Sequence, residues 1–248
     1  MRMARTGAFT IVVGFVASFT AAQNCPCPPK PTPGWHGGAG AGLALTSGNS
    51  DTQSYNLNML AVYDPQRRNV IKLDGLYLKS KAQGEDTADK AAFGARDEYS
   101  LGRAFLFGEV RYQRDRFKLL DSLIAPTVGA GYKLLDGARV ALGVDAGVGL
   151  ALEKLEGQDR TTDGALHAGE SLSWKISDNS RLTQAASALW KIDDFADAFY
   201  HLEAGLASSI NSRLELKLAG LVDVKNKPAT LAIQKTDKAL LASLVFKF

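Results

Sequence analysis

Apolar and polar residues alternate with a period of two along most of the chain, which is the pattern of a half-buried β-strand. In residues 212–225, for example, Leu214, Leu216 and Leu218 share one face and charged residues occupy the other. The ninth such segment alternates least regularly, because Gln184 lies among its apolar positions. The alternation predicts about twelve strands, near residues 36–47, 52–63, 69–81, 89–101, 104–116, 122–134, 139–153, 161–175, 181–191, 197–209, 212–225 and 235–248.

The length of these segments favours a membrane barrel over a soluble β-protein. They exceed the five or six residues usual for a globular strand, and a strand that crosses a membrane at a tilt needs ~9–11 residues. A soluble β-sandwich or a lipocalin-like barrel also alternates, but here no predicted helix covers the apolar faces. In lipid, only helices and closed barrels satisfy every backbone donor and acceptor. The sequence therefore predicts an all-β fold, an antiparallel up-and-down transmembrane β-barrel of about 12 strands and of outer-membrane type.

The connections between the predicted strands carry a second signal. The odd-numbered ones, such as KAQGEDTAD and NKPATLAIQKT, are generally longer, whereas even-numbered ones such as LGR and LDGA are tight turns. This asymmetry is typical of a barrel with short periplasmic turns and longer outer loops. An even number of strands then leaves both termini on the periplasmic side.

Residues 1–22 have the three parts of a secretory signal peptide. Arg2 and Arg5 form the charged region, an apolar run extends from Ala8 to Phe19, and small residues lead to a cleavage site near Ala22. The apolar run is too short to span ~30 Å of hydrocarbon as a helix. A short buried helix is the alternative, but export to the outer membrane agrees with the predicted barrel.

Residues 23–35 form a predicted flexible leader before the barrel domain, 36–248. The leader contains Cys25 and Cys27, the chain's two cysteines, and it is rich in proline, which favours extended structure. Lipidation of Cys25 is one alternative, but Asn24 stands where such signals need a small residue. In an oxidising compartment, the thiols could instead pair with another chain or with each other. A metal site is less favoured, since tetrahedral sites usually need four ligands.

The composition of the chain excludes some kinds of binding site but does not indicate a function. The net charge is +3, and the basic residues are scattered among acidic ones, so no nucleic-acid surface is predicted. The glycine-rich GGAGAG is not a phosphate-binding loop, because no helix and no Lys-Ser/Thr pair follows it. We therefore expect no cofactor and no metal, and we interpret the glycines as allowing bending or close packing in the barrel.

The last strand ends on an aromatic residue with an apolar face. Leu244, Phe246 and Phe248 share that face with Leu240, and polar residues interrupt the other. Aromatic rings are favoured at membrane interfaces. We predict that this strand faces outer-membrane lipid and carries the signal by which the barrel-assembly machinery inserts the protein. It should also pair with the first strand and close the barrel.

Two motifs support a family resemblance. GNSDTQSYNL (Gly48–Leu57) follows a glycine-rich first strand, and RYQRDRF (Arg111–Phe117) lies in the fifth. With these motifs in order, the chain from about Gly38 to Phe248 resembles the salt-induced outer-membrane protein (YdiY-like) family, domain of unknown function 481. The resemblance implies a bacterial outer-membrane barrel of unassigned activity, and it transfers no catalytic residues.

Charged residues of both signs fall on the inward face of the predicted strands. Cross-strand pairing is expected, because buried charges must be paired to be tolerated. We predict a structural protein or a narrow channel for ions or small solutes. For Arg111, lumen packing and a selectivity constriction are both open interpretations. The lumen candidates are Lys72, Asp74, Arg96, Glu98, Glu109, Arg111, Gln113, Asp115, Arg139, Asp145, His201, Glu203, Arg213, Glu215, Lys217 and Asp223.

A membrane-embedded enzyme and a surface-binding module are the alternatives. An enzyme of the lipase or protease type needs a nucleophile and a base within hydrogen-bond reach. His167 and Ser171 share a face but lie ~13 Å apart along the strand. His201 could be oriented by Glu203, but no serine is evident opposite it, so we predict no enzyme activity. The outer loops are too short for much of a binding platform.

Overall fold

The computed structural model describes residues 33–47, 52–82, 85–230 and 233–248. These residues form β1 (Gly34–Ser47), β2 (Thr52–Asp64), β3 (Asn69–Ala82), β4 (Glu85–Leu101), β5 (Ala104–Asp115), β6 (Leu120–Asp136), β7 (Val140–Leu155), β8 (Thr161–Lys175), β9 (Ser180–Lys191), β10 (Asp194–Ser209), β11 (Leu214–Lys225) and β12 (Thr236–Lys247). A short 3₁₀ turn, Arg116–Lys118, connects β5 to β6. No helix in this part of the chain is long and apolar enough to cross a membrane. The predicted signal peptide and the leader cysteines, Cys25 and Cys27, lie outside the described residues.

The twelve strands form one closed antiparallel barrel. Each strand pairs with its neighbours in sequence, and β1 pairs with β12 from Gly38–Lys247 to Ser47–Lys238. Closure matters physically because it leaves no strand with an unpaired edge. The predicted fold class and strand number are therefore confirmed, and the predicted pairing of the first and last strands is confirmed with them.

The two ends of the barrel differ in their connections and in which one holds the chain ends of β1 and β12. We call the end with the connections 65–68, 102–103, 137–139, 176–179 and 210–213 the turn end; it also holds the start of β1 and the end of β12. The other end is the loop end. The predicted difference in length is wrong for several connections, since only two residues separate β3 from β4 and only two separate β9 from β10. The strand ladders extend into segments that we had assigned to loops, and the connection 226–235 is the longest in the described barrel.

The outward face is mostly apolar between two levels of aromatic rings. Trp174 marks the level near the turn end, and Trp190 with Tyr200 marks the level near the loop end. Trp174 lies eight residues along β8 from Leu166, which pairs with Trp190. Eight residues of a strand tilted by ~40° rise about 20 Å along the barrel axis. This spacing fits the apolar band of a membrane barrel, about 25 Å tall and flanked by aromatic girdles.

The last strand has the two faces that its sequence predicts. Leu240, Leu244 and Phe246 are about half exposed on the outside, whereas Ser243 and Val245 are buried on the inside. The apolar face of this strand therefore points away from the barrel interior.

Close packing inside the barrel accounts for the glycines of β1. A Cβ atom at Gly42 would lie 1.8 Å from the carbonyl oxygen of Ala242 in β12. Any side chain at this position would force the two strands apart, because such contacts are far inside van der Waals distance. This geometry agrees with the close-packing interpretation of the GGAGAG segment.

Candidate functional site

An ionic cluster inside the barrel is centred on Arg96 of β4. Its guanidinium group lies 2.8 Å from Glu98, 3.3 Å from Glu109 and 3.0 Å from Asp145. The same group lies 3.9 Å from the ring centre of Phe107, within cation–π distance. The partners come from β4, β5 and β7, so one side chain ties together neighbouring parts of the wall.

The Arg96 cluster continues toward a part of the lumen that water can reach. Lys72 lies 2.8 Å from Glu98, and Arg111 lies 2.9 Å from Glu109 and 3.6 Å from Asp74. The side chains of Lys72, Asp74 and Arg111 are 42%, 43% and 48% exposed. The Arg111–Asp74 pair, which is exposed on both sides, contributes only ~0–1 kcal/mol, whereas Glu98 and Glu109 are 14% and 4% exposed and form the drier base of this wall. This section of the interior is therefore a wet, charged wall.

The loop end of the lumen is different, because ion pairs cross it. Lys90 of β4 pairs with Asp223 of β11, and these strands are five steps apart one way around the barrel and seven the other. His201 Nδ1 lies 2.7 Å from the same carboxylate. Beside this pair, Lys118 in the 3₁₀ turn is buried and lies 3.2 Å from Asp237 of β12. The contacts therefore join nearly opposite walls rather than neighbouring strands.

A second crossing contact is built on Glu153 of β7. Its carboxylate lies 2.5 Å from Lys225 of β11 and 2.6 Å from Lys191 of β9. The two lysines also share Asp197, and Lys191 lies 3.1 Å from Asp163. Glu153, Lys191 and Lys225 are all buried. We call the contacts around Asp223 and Glu153 the loop-end layer.

Apolar side chains also meet inside the barrel. Leu78 of β3 packs with Ala219 and Leu221 of β11 and with Leu241 of β12, and all four are buried. Because β3 does not neighbour β11 or β12, this contact also spans the lumen. The interior is thus narrowed by packed side chains as well as by charge.

The structure brings most of the predicted lumen residues onto the inner wall. Asp115 caps the 3₁₀ turn by accepting hydrogen bonds from two backbone amides, and Gln113 lies on the same face of β5. Glu203 pairs with Lys217 at 2.7 Å, and Glu215 lies 3.4 Å from Arg181.

Two of the predicted lumen residues need correction. Arg139 and Arg213 are exposed and lie in the turns 137–139 and 210–213, because β7 and β11 begin later than the alternation suggests. Neither side chain is part of the inner wall of a strand.

The surroundings of His201 also differ from the prediction. Its partner is Asp223 rather than Glu203, because inward residues of adjacent strands lie closer together than inward residues along one strand. A serine does lie opposite it, since Ser187 of β9 is its register partner. No hydrogen bond joins Ser187 to His201 in the structure.

The alternation does not identify the residues that complete the loop-end layer. Glu153 and Lys225 fall on polar faces in the alternation, but each lies near the end of its predicted strand. Lys90 and Lys191 lie at or next to the ends of the predicted segments 89–101 and 181–191, and Lys118 lies between two predicted strands. Charged residues at the ends of the predicted strands are the sequence feature that points to such a layer, but alternation alone does not show which of them point inward.

Neither end of the lumen provides an evident metal site. Within the described residues, no group of three or more histidine, cysteine, aspartate or glutamate side chains could hold a metal ion. The carboxylates that do converge have lysine or arginine between them, as at Glu153.

Residues 39–248 match a protein family described as a protein of unknown function, DUF481. The chain belongs to this family. A DUF481 relative from Escherichia coli (strain K12), the uncharacterized protein YdiY, is 25% identical over 166 residues, which are 66% of this chain and 64% of YdiY. The match thus spans less than two thirds of that relative. The resemblance predicted from the two motifs is confirmed.

Solved barrels share the architecture of this DUF481 chain without close sequence similarity. The NanC porin superposes with a TM-score of 0.56 at 10% identity, over 86% of this chain and 100% of that one. The COG4313 outer-membrane channel from Pseudomonas putida F1 gives 0.54 at 14% identity, over 92% and 100%. The translocator domain of autotransporter NalP from Neisseria meningitidis gives 0.51 at 12% identity, over 89% and 90%. These similarities establish the barrel fold of outer-membrane porins and channels.

Proposed function

We propose that this DUF481 protein is a narrow outer-membrane channel for ions or small solutes, restricted at its loop end by the cross-lumen ion pairs. The observation that carries the proposal is the contact of Lys90 with Asp223 across the barrel, next to a wet wall that includes Arg111. A barrel of twelve strands stands between small filled barrels and the open 16–18-stranded porins. The porin and channel folds of its structural relatives support the same class.

The proposal includes a location and an orientation. The aromatic levels fit a membrane. The turn end fits the periplasmic side of an outer-membrane barrel, because it holds the start of β1 and the end of β12 while the longest connection of the described barrel, 226–235, lies at the loop end. Export by the predicted signal peptide and insertion by the barrel-assembly machinery, through the strand that carries Phe246, complete the proposal.

The charge of the loop-end layer favours cations. Rings of carboxylates select cations in channels. With Asp115 included as the register partner of Lys90, the carboxylates of this layer outnumber the lysines six to four; they are Asp115, Glu153, Asp163, Asp197, Asp223 and Asp237 against Lys90, Lys118, Lys191 and Lys225.

Planar-bilayer recording of the refolded protein tests this proposal, after heat-modifiable migration on a gel has shown that it is folded. We expect small, discrete, cation-selective steps from the wild type and larger steps from Lys90→Met, which removes the bridge to Asp223. Lys154→Met is the matched control, because Lys154 lies on the outer side of β7 and is 47% exposed. If the wild type and Lys90→Met are both folded and silent, the barrel is structural and the channel proposal is wrong.

One observation favours a second candidate, a hydrolase. Ser187, His201 and Asp223 stand side by side on β9, β10 and β11, and the carboxylate holds Nδ1 of the histidine as in a serine–histidine–aspartate triad. The hydrolase ranks second because Asp223 also pairs with Lys90 and is therefore not committed to the histidine alone. Labelling with a fluorophosphonate probe tests it: a signal that disappears in Ser187→Ala would favour the hydrolase, and no labelling would rule it out.

A further inference from the structure

A polar pair lies on the outer, lipid-facing wall of β8 and β9. Glu170 and Gln184 occupy outward positions, because their register partners Val144, Ala186 and Leu172 belong to the apolar outer face. Gln184 Nε2 donates a hydrogen bond to Glu170 Oε1 at 2.6 Å. The residue that made the ninth segment irregular in sequence is therefore half of this pair.

The pair lies at the middle depth of the apolar band. Glu170 is four residues from Trp174 along β8 and four residues from Leu166, which pairs with Trp190. It is thus equally far from the two aromatic levels that mark the edges of the band. Ionisable side chains at this depth are costly and generally serve a function.

Other outward carboxylates in the described barrel have stronger partners or lie toward an end. Asp89, near the loop end, is buried and lies 2.7 Å from Arg114. Asp97 accepts two hydrogen bonds from Asn69, the first residue of β3 at the turn end. For Glu170, the hydrogen bond from Gln184 is the one that the structure gives, and a single amide leaves most acceptor positions of a carboxylate unfilled.

We propose that the wall around Glu170 and Gln184 binds a second copy of this chain. The face is complementary to itself, because it offers both a carboxylate and an amide that retains a second N–H donor and a carbonyl acceptor. A two-fold axis along the membrane normal preserves depth, so Gln184 of one copy meets Glu170 of the second copy at the same level. A lipid headgroup does not reach this depth, and an acyl chain offers no hydrogen bond.

The surrounding side chains allow two such walls to approach closely. Alanines occupy the outward positions beside the pair: Ala168, Ala186, Ala188 and Ala204. Small residues at membrane interfaces let backbones come together and bring polar groups within hydrogen-bond range. The polar pair therefore has alanines on the β9 and β10 side, where a second wall can come close, and Val144 and Leu172 as its larger neighbours.

Cysteine crosslinking tests the proposal on the full chain with Cys25 and Cys27 changed to serine. Ala186→Cys places one thiol beside the pair, and Met59→Cys is the matched control, an outward position on β2, five strands from β9. We expect oxidation in vesicles to give a two-chain band for Ala186→Cys and none for Met59→Cys. Equal crosslinking at both positions, no crosslinking at Ala186→Cys, or a crosslink to a different polypeptide would each overturn the proposal.

The mass of the particle in mild detergent gives an independent measurement. The wild type should contain two chains, and the variant Glu170→Leu with Gln184→Leu should contain one, while the variant still shows heat-modifiable migration. A wild type with one chain, or a folded double variant that keeps two, would contradict the proposal. If the double variant does not fold, the crosslinking result decides.

Discussion

Replacing Lys225 by methionine is the sharpest test of the loop-end layer as a structural unit. The Lys225 side chain is 3% exposed, lies 2.5 Å from Glu153, and places its ammonium group 3.9 Å from the ring centre of Phe199. Methionine keeps most of the volume of the stem but removes the charge. The change therefore isolates the electrostatic contribution from the packing contribution.

The expected loss of unfolding free energy depends on the partners that remain for Glu153. Removing one partner of a buried ion pair costs ~3–5 kcal/mol, because it leaves the other charge buried. Glu153 keeps Lys191 at 2.6 Å, so we expect the lower end of the range, about 3 kcal/mol. The cation–π contact with Phe199 is part of the same loss. Lys154 follows Glu153 on β7 but points outward, so Lys154→Met should change the free energy of unfolding by less than about 1 kcal/mol.

Equilibrium unfolding in urea, with the barrel refolded in lipid vesicles, measures both free energies of unfolding. Glu153→Gln should also destabilise, because it removes the shared buried carboxylate and leaves Lys225 with Asp197 alone, which it shares with Lys191. The double variant Glu153→Gln with Lys225→Met should cost less than the sum of the single changes, since groups in contact are not additive. If Lys225→Met costs no more than Lys154→Met, the ion-pair account of the loop end is wrong.

Three further predictions address other parts of the barrel. Gly42→Ala should lower the free energy of unfolding, because its Cβ would meet Ala242, whereas Gly108→Ala should not, since nothing lies within 4 Å of a Cβ there; urea unfolding compares them. Arg111→Ala should leave that free energy within ~1 kcal/mol of the wild type and raise bilayer conductance, because its pair with Asp74 is half exposed and the buried Glu109 keeps Arg96 as a partner; a large loss of stability would instead identify it as a packing residue. Phe246→Ala should reduce the amount of folded protein in outer membranes while purified protein still refolds in detergent, and equal loss in both assays would contradict an assembly signal.

The strands could be predicted because the membrane imposes one simple pattern on them. A strand with lipid on one side must alternate, so the eighth segment was predicted with both ends correct, Thr161–Lys175. The alternation does not predict where β4 and β10 begin, because both strands start beyond the apolar band, where nothing requires the outer face to be apolar. Their first residues, Glu85 and Asp194, give no sign in sequence that they belong to a strand.

Contacts between adjacent strands can be predicted from the sequence, whereas contacts across the lumen cannot. The pairing of His201 with Asp223 joins register partners on adjacent strands, so it follows once the strands are known to run up and down in order. The contact of Lys90 with Asp223 does not follow in this way, because it depends on the tilt of the strands and on the width of the closed barrel. Alternation fixes neither quantity, so the sequence predicts a charged wall but not its crossing points.

A layer of ion pairs restricts a lumen in a different way from an apolar plug. Rotation of Leu78 away from its buried partners loses apolar contacts without forming new ones of the same kind, because packed side chains fill the space around one another. Glu153 has two lysines, and it keeps Lys191 when Lys225 turns away toward Asp197. Exchange of partners needs only rotation of side chains, and a cation entering between the carboxylates can replace a departing ammonium group. In the proposed channel, the ion pairs of this layer would provide the closure, and its surplus of carboxylates would provide the route for a cation.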